Sequence, residues 1–269
     1  MKITVLGSGA WEGIPAPFCS CKVCILAAQD PASKNNRTRP EFLLENANGA
    51  FLLEMSPDIR LQSTKFKLPP VTDVFISHWH FDHLGGLREL HSWAKRISQP
   101  LNVYCSAATA EIIEKEYGYI HLSVKILRPF DQFALFGIMI TPLPVYHMFG
   151  QDDAVSEKKL ENTFAYLCEN NNTRIAYLAD YYRVPQNTLD RIQDVDVLIA
   201  DGTYLSTHEY KKIKPNHMHG DDILRFTKGI GAKAVFYHSI SHLTRKTHEE
   251  LQKTLPAAHV LTYDGMRLL

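Results

Sequence analysis

The chain reads as an α/β protein, a sandwich of sheets covered by helices. Three observations predict it. Short β-like runs crowd both halves of the sequence, helical patterns fall between them, and no Pro-, Ser- or Gly-rich linker divides the 269 residues. A chain of that length without a break suits a single domain, 1–269, large enough to bury a sizeable core.

In chain order the β-like runs are 2–7, 42–45, 50–54, 71–77 and 101–104, then 138–145, 163–168, 174–179, 195–201, 234–238 and 259–263. The helical patterns are 85–96, 107–117, 186–193, 220–229 and 247–254. The opening run is too short in apolar residues for a signal peptide and reads as a first strand. The stretch from Pro31 to Pro40, polar and broken by prolines, reads as a loop. Residues 149–161 read as a flexible, solvated excursion.

Composition narrows the function classes. Hydrophobic residues make up 45%, yet no run approaches the roughly eighteen apolar residues of a membrane span, so a soluble protein without a membrane partner is expected, with the cytoplasm as default location. Lys+Arg and Asp+Glu both number 29. That balance removes the broad basic footprint of a nucleic-acid binder, and no nucleic-acid partner is expected. It leaves room for a small anionic substrate met by local groups. Three of the five cysteines are clustered, which favours metal binding over a disulfide framework.

The chemistry concentrates in Ser77-His78-Trp79-His80-Phe81-Asp82-His83-Leu84-Gly85-Gly86. Three histidines and an aspartate follow an apolar run, which puts imidazoles and a carboxylate at a strand tip, the donors that divalent transition metals favour. His78 and His80 alternate, so both point the same way in extended backbone. Asp82 and His83 come after the turn and can face a second ion. Two further donors end β-like runs, His147 after 138–145 and Asp180 after 174–179. A carboxylate at a strand end can bridge two ions that clamp the attacking and leaving oxygens of a displacement.

The order His-x-His-x-Asp-His, then His, then Asp, each after a strand, resembles the metallo-β-lactamase superfamily of hydrolases over essentially the whole chain. The resemblance implies a four-layer αβ/βα sandwich with the site at one sheet edge. It implies that His78, His80 and His147 hold the first metal, that Asp82 and His83 hold the second, and that Asp180 bridges them, the ions being manganese or zinc, with iron a further candidate. The late ligand departs from the pattern. Relatives read Thr-His-x-Ser-His where this chain has His238-Ser239-Ile240-Ser241-His242, so Ser239 stands at the ligand position and His238 one place early. A bulge would bring His238 into the second site; otherwise that site has one ligand fewer. Glu54 stands where relatives often carry aspartate, and is expected to hydrogen-bond neighbouring loops.

Cys19, Cys21 and Cys24 form a C-x-C-x-x-C set that can wrap one tetrahedral ion but needs a fourth donor. This loop resembles a narrower subfamily, that of the cyclic phosphodiesterase of bacterial phosphonate breakdown. That resemblance implies a structural zinc completed by His242. Cys105 and Cys168 are isolated and read as core cysteines. The same subfamily carries Asn-His before a helix, which maps to Asn216-His217 and implies His217 as general acid/base. His219 reads as a helix cap or surface residue.

The expected activity is therefore hydrolysis of cyclic or small phosphodiesters: hydroxide on the metals, oriented by Asp82, attacks phosphorus in line, and His217 protonates the departing oxygen. The partner expected is a small phosphorylated substrate, and a homodimer is compatible with the chain. Arg37, Arg39 and Arg60 either meet a terminal phosphate or belong to solvated loops. Other readings stand beside this one. They are a thioester, lactone or β-lactam hydrolase on the same fold, an RNA-processing nuclease, which the charge balance disfavours, and a non-catalytic cofactor-biosynthesis member with a degraded second metal site.

Overall fold

The computed structural model describes residues 1–147, 162–170, 172–206 and 217–269. The excursion expected at 149–161 and the Asn216 assigned with His217 lie outside the described residues.

Two sheets face each other. The first has six strands in the order β1 (Lys2–Gly7), β2 (Glu41–Asn46), β3 (Gly49–Leu53), β4 (Asp73–Phe75), β5 (Leu101–Cys105) and β6 (Leu122–Ile126). Its first three strands pair antiparallel and the rest parallel. The second runs β13 (His259–Leu261), β12 (Ala234–His238), β11 (Val197–Asp201), β10 (Thr173–Tyr177), β9 (Phe164–Asn170), β8 (Ile138–Pro144) and β7 (Phe133–Leu135). Strands β13 to β10 pair parallel and β10 to β7 antiparallel.

Side chains alternate across a strand, so a strand apolar at every position must be covered on both faces. Phe42, Leu44, Phe51 and Leu53 enter the core between the sheets, while Leu43 and Leu52 face outward onto helices. The outer face of the first sheet is covered by α2 (Ile59–Phe66), α4 (His91–Ile97) and α5 (Ala107–Tyr117). The second sheet is covered by α6 (Gln186–Ile192), α7 (Gly220–Ile230) and α8 (His248–Gln252). This is the four-layer sandwich the sequence led us to expect. Phe42 is fully buried between the layers, edge-on to Tyr177 at 5.2 Å, and its loss would cost about 3–5 kcal/mol. Local signals set helix starts: Ser106 Oγ accepts from Thr109 N to open α5, and Thr247 with Glu250 forms a capping box at α8.

The expected helix 85–96 is broken into a 3₁₀ turn, Gly85–Arg88, and α4. There Gly86 N donates to the Met55 carbonyl at 3.0 Å and not within a helix, and the approach is so close that a Cβ on Gly86 would lie 2.1 Å from the Ser56 carbonyl oxygen. The short helices α1 (Lys22–Gln29) and α3 (Phe81–Leu84), together with α2, β6 and β7, were not among the expected elements. Among the described residues, no helix is long and apolar enough to cross a membrane.

Candidate active site

The carboxyl ends of β4, β8, β10 and β11 meet at one edge of the sandwich. The chain leaves β4 through Ile76 and Ser77 into the histidine cluster, and His147, Asp180 and Asp201 follow or end the other three strands. Here Asp180 Oδ2 is the common point. It lies 3.7 Å from His78 Nε2, 3.5 Å from His83 Nε2, 3.7 Å from His147 Nε2 and 3.8 Å from His217 Nε2. His80 Nδ1 stands 2.9 Å from His78 Nε2 and 3.3 Å from His147 Nε2. Two donor sets result, His78–His80–His147–Asp180 and Asp82–His83–Asp180, sharing the aspartate. These are the six residues expected to hold the two ions, apart from His238.

The donors fit cations. Burial holds His78 well below the ordinary histidine range, and the neighbouring imidazoles add to that, so its ring is neutral and has a lone pair to offer. His80 is lowered by burial in the same direction. His83 is fully buried, and neither ring nitrogen has a hydrogen-bond partner although Nε2 lies 3.1 Å from Asp82 Oδ2. Burial pushes His83 down, but Asp82, Asp180 and Glu54 outweigh it and hold it well above its usual value. A field that so favours positive charge on this ring favours a divalent cation between the same carboxylates.

Glu54 supports that ring from behind. Its Oε2 lies 3.3 Å from His83 Nδ1 and accepts from Ser77 N at 3.1 Å, and Oε1 accepts from Tyr177 Oη at 3.0 Å. The sequence suggested only contacts with loops. A carboxylate behind a ligating histidine fixes its tautomer and orientation.

His238 corrects the sequence reading. It is fully buried, its Nε2 donates to the Leu178 carbonyl at 3.0 Å, and its Nδ1 accepts from Ser239 Oγ at 2.8 Å. The ring lies 5.2 Å from Tyr177 and edge-on to Phe42 at 5.3 Å. Both nitrogens are spent away from the metal donors, so His238 is a core residue. The bulge that would have brought it in does not form. The backbone instead turns at Ser239, in left-handed conformation with φ 55°, and Ser239 lines the cavity.

His217 lies at the opposite rim. Its Nδ1 donates to Asp201 Oδ2 at 2.6 Å. Burial lowers its proton affinity, but Asp201 and Asp180 more than reverse this and raise it to about 9. Asp201 was missed in the sequence, although it ends an apolar β-run as Asp180 does. His219 occupies the N-cap position of α7 without a side-chain cap, and its ring stacks on Tyr204 at 4.7 Å.

The three arginines have partners within the protein. Arg37 is buried and donates to Ser8 Oγ, the Thr262 carbonyl and His248 Nδ1. Arg39 pairs with Asp58 at 2.8 Å, and Arg60 lines a separate cleft with Glu89.

Beside this edge, Cys19, Cys21, Cys24 and His242 come together with their donor atoms within 4.8 Å. His242 Nδ1 is 3.2 Å from Cys19 Sγ and 3.7 Å from Cys21 Sγ. Ligands of tetrahedral zinc stand about 3.3–3.8 Å apart, so the set fits that ion. Burial raises the Cys24 thiol to about 12, and a cation among the sulfurs is what converts such a thiol to thiolate. Glu12 stands behind His242, Oε1 3.7 Å from Nε2, and accepts from Ser241 Oγ. Cys105 and Cys168 are fully buried in strands.

Comparison with known proteins follows this geometry. The family described as Beta-lactamase superfamily domain matches residues 50–239. Coenzyme PQQ synthesis protein B of Methylobacterium radiotolerans is 26% identical over 254 residues, 87% of this chain and 78% of that protein. A crystal structure of a diphosphatase from the PhnP family superposes with a TM-score of 0.82 at 24% identity, over 100% of this chain and 97% of the other. Zn(2+)-bound PqqB from Methylobacterium extorquens superposes with a TM-score of 0.85 at 20% identity, over 100% of both chains. At those identities the likeness between structures is one of fold.

Proposed function

The chain belongs to the beta-lactamase superfamily, and from that membership we propose that it is a metal-dependent phosphodiesterase acting on cyclic or small phosphodiesters. One observation carries the choice over a thioester: His217 lies within the donor cluster, Nε2 3.8 Å from Asp180 Oδ2, with Nδ1 anchored on Asp201. A built-in acid matters most where the leaving group is a strongly basic alkoxide. A thioester releases a thiolate, a far better leaving group that needs no such donor.

His78, His80, His147 and Asp180 would hold one divalent transition ion and Asp82, His83 and Asp180 the other, zinc or manganese, supplying Lewis-acid charge that activates water and neutralises the phosphoryl oxygens. The protein's own groups do the rest. Asp82, on the first turn of α3, accepts a hydrogen bond from the attacking water and aims it. As water adds to phosphorus and the P–O bond opposite breaks, His217 Nε2 delivers its proton to the departing oxygen. Asp201 holds the ring so that this nitrogen faces the reaction and stabilises it while charged. The added water sheds one proton to solvent, His217 recovers one in turn, and the product is a phosphomonoester.

A second reading has its own support. With His238 in the core and Ser239 at the cavity, the second donor set is three residues. A weakly held second ion suits a member of the superfamily whose hydrolytic site is reduced. The experiment that separates the two loads purified protein with manganese or zinc and offers cyclic phosphodiesters, linear phosphodiesters, lactones and thioesters. Hydrolysis of cyclic diesters, lost in Asp82→Ala, supports the proposal. No hydrolysis of any diester overturns it.

A further inference from the structure

We propose that Trp11 and Phe81 form an aromatic clamp at the mouth of the active-site cavity, so that the substrate carries a planar heterocyclic ring beside its phosphodiester. The inference rests on the phosphodiesterase reading and specifies its substrate class. The cavity is about 440 Å³, the size of a small-molecule site, and both aromatic rings line it together with Asp82 and Asp180. Trp11 is 65% exposed and Phe81 59%. Residues of this size usually bury most of their surface, and a pair left open beside a reactive centre marks a surface kept for a ligand.

Neither ring owes its exposure to a loose backbone. Trp11 sits in a turn closed by Gly13 N on the Ala10 carbonyl at 2.9 Å and joined to the body by Ala10 N on the Ile240 carbonyl at 3.1 Å. The Trp11 carbonyl accepts from Arg39 Nε at 3.0 Å, and Arg39 is itself fixed on Asp58. Phe81 opens α3, and its ring occupies space that Gly85 leaves free, where a Cβ would come within 2.6 Å of the ring. Tyr204 adds a third aromatic wall, braced by its stack on His219.

The polarity of the walls points the same way. Among the described residues lining the cavity there is no Lys or Arg, and the charged groups there are the metal donors and His217. Trp11, Phe81 and Tyr204 give the described part of the lining π-surface beside the metal donors. A flat ring stacks on such walls whatever its edge carries, which makes the clamp tolerant of the base and selective for its presence.

The test compares three substrates with the same reacting diester: a nucleoside 2′,3′-cyclic phosphate, the methyl riboside 2,3-cyclic phosphate without a base, and the n-hexyl riboside analogue. Metal-loaded protein should favour the nucleoside over the methyl compound by about tenfold or more in kcat/KM, chiefly through KM. Trp11→Leu should reduce that ratio about tenfold, and Phe81→Leu should reduce it independently. Equal kcat/KM for nucleoside and methyl riboside, a preference for the hexyl compound, or a ratio unmoved in both variants would overturn the clamp. A binding arm separates this from the reaction itself. Adenosine 5′-monophosphate should quench tryptophan fluorescence where ribose 5-phosphate does not, and Trp11→Leu, which keeps Trp79 and Trp93, should abolish the difference. Quenching without hydrolysis of any diester leaves the clamp standing and removes the phosphodiesterase. Hydrolysis without preference does the reverse.

Discussion

His217 Nδ1 lies 2.6 Å from Asp201 Oδ2, and Asp201 Oδ1 is held in turn by the Thr203 amide at 2.8 Å and hydroxyl at 2.7 Å. The carboxylate is thus fixed before it fixes the imidazole. Asp201 raises the proton affinity of His217, so activity on alkyl diesters should fall only at a pH above the ordinary histidine value near 6.5. Asp201→Asn removes the charge and should bring that limb down toward the ordinary histidine value near 6.5, with kcat lowered at least about tenfold for poor leaving groups and less for nitrophenyl esters. A pH–rate profile unchanged in Asp201→Asn would show that the pair is not the proton donor.

The second metal should be the weaker, and Ser239 should govern it. Ser239→His places an imidazole on the cavity wall beside the Asp82–His83–Asp180 set and should lower the metal concentration needed for half-maximal activity. His238→Ala should behave differently. It deletes a buried ring and its bond to Leu178, costing about 2–4 kcal/mol of stability with little change in metal demand. Metal titration and thermal unfolding of the two variants read these effects separately.

Glu54→Gln keeps one oxygen to accept from Ser77 N while its amide NH2 can donate to Tyr177 Oη, and it removes the charge behind His83. Affinity for the second ion should drop about 10–100-fold, as other carboxylate–histidine pairs behind metals do, while the fold holds. Calorimetric titration of the stripped protein with manganese gives the comparison with the unaltered chain.

Elemental analysis should find zinc that survives mild chelation, held by Cys19, Cys21, Cys24 and His242. Cys21→Ser should lower the zinc content by about one ion per chain. Zinc content unchanged by that substitution would remove the thiol site.

Acid stability should have a component that is independent of the metal donors. Burial and the neighbouring Arg37 lower His248 to about 4, and its Nδ1 accepts from Arg37 at 3.0 Å. The unfolded chain binds this proton near 6.5 and the folded chain only near 4. The stabilisation is therefore complete above about 6.5 and is lost as pH falls through about 4. His248→Asn keeps an acceptor for Arg37 without the titration, so its melting temperature should decline less steeply over that window.

Much of the centre was legible because metal donors sit close together in sequence and end β-runs. His78, His80, Asp82 and His83 lie within six residues, and His147 and Asp180 follow apolar strands that needed only to share an edge. The C-x-C-x-x-C spacing showed that a fourth donor was needed, and only the resemblance to the subfamily pointed to His242. What stayed hidden depends on which way a buried group turns. Side-chain alternation placed His238 on one face or the other, and only the left-handed turn at Ser239 decided between them. Glu54 and Asp201 act through partners distant in sequence, Tyr177 and His217, that no local pattern links to them. The two short strands β6 and β7 escaped notice because they lie toward the ends of their sheets, where half-exposed faces blur the alternation.

Trp11 and Glu12 are neighbours on one turn, yet they serve different neighbourhoods. Trp11 faces the substrate cavity, and Glu12 holds Ser241 and stands behind His242 of the thiol set. A single peptide unit therefore mechanically joins two regions that share no ligand. Oxidation of the sulfurs would leave every donor around Asp180 intact and would reach the turn only through Glu12, because the turn's bonds to Ile240 and Arg39 involve no sulfur. Any effect of such stress should therefore show in the choice of substrate before it shows in the chemistry.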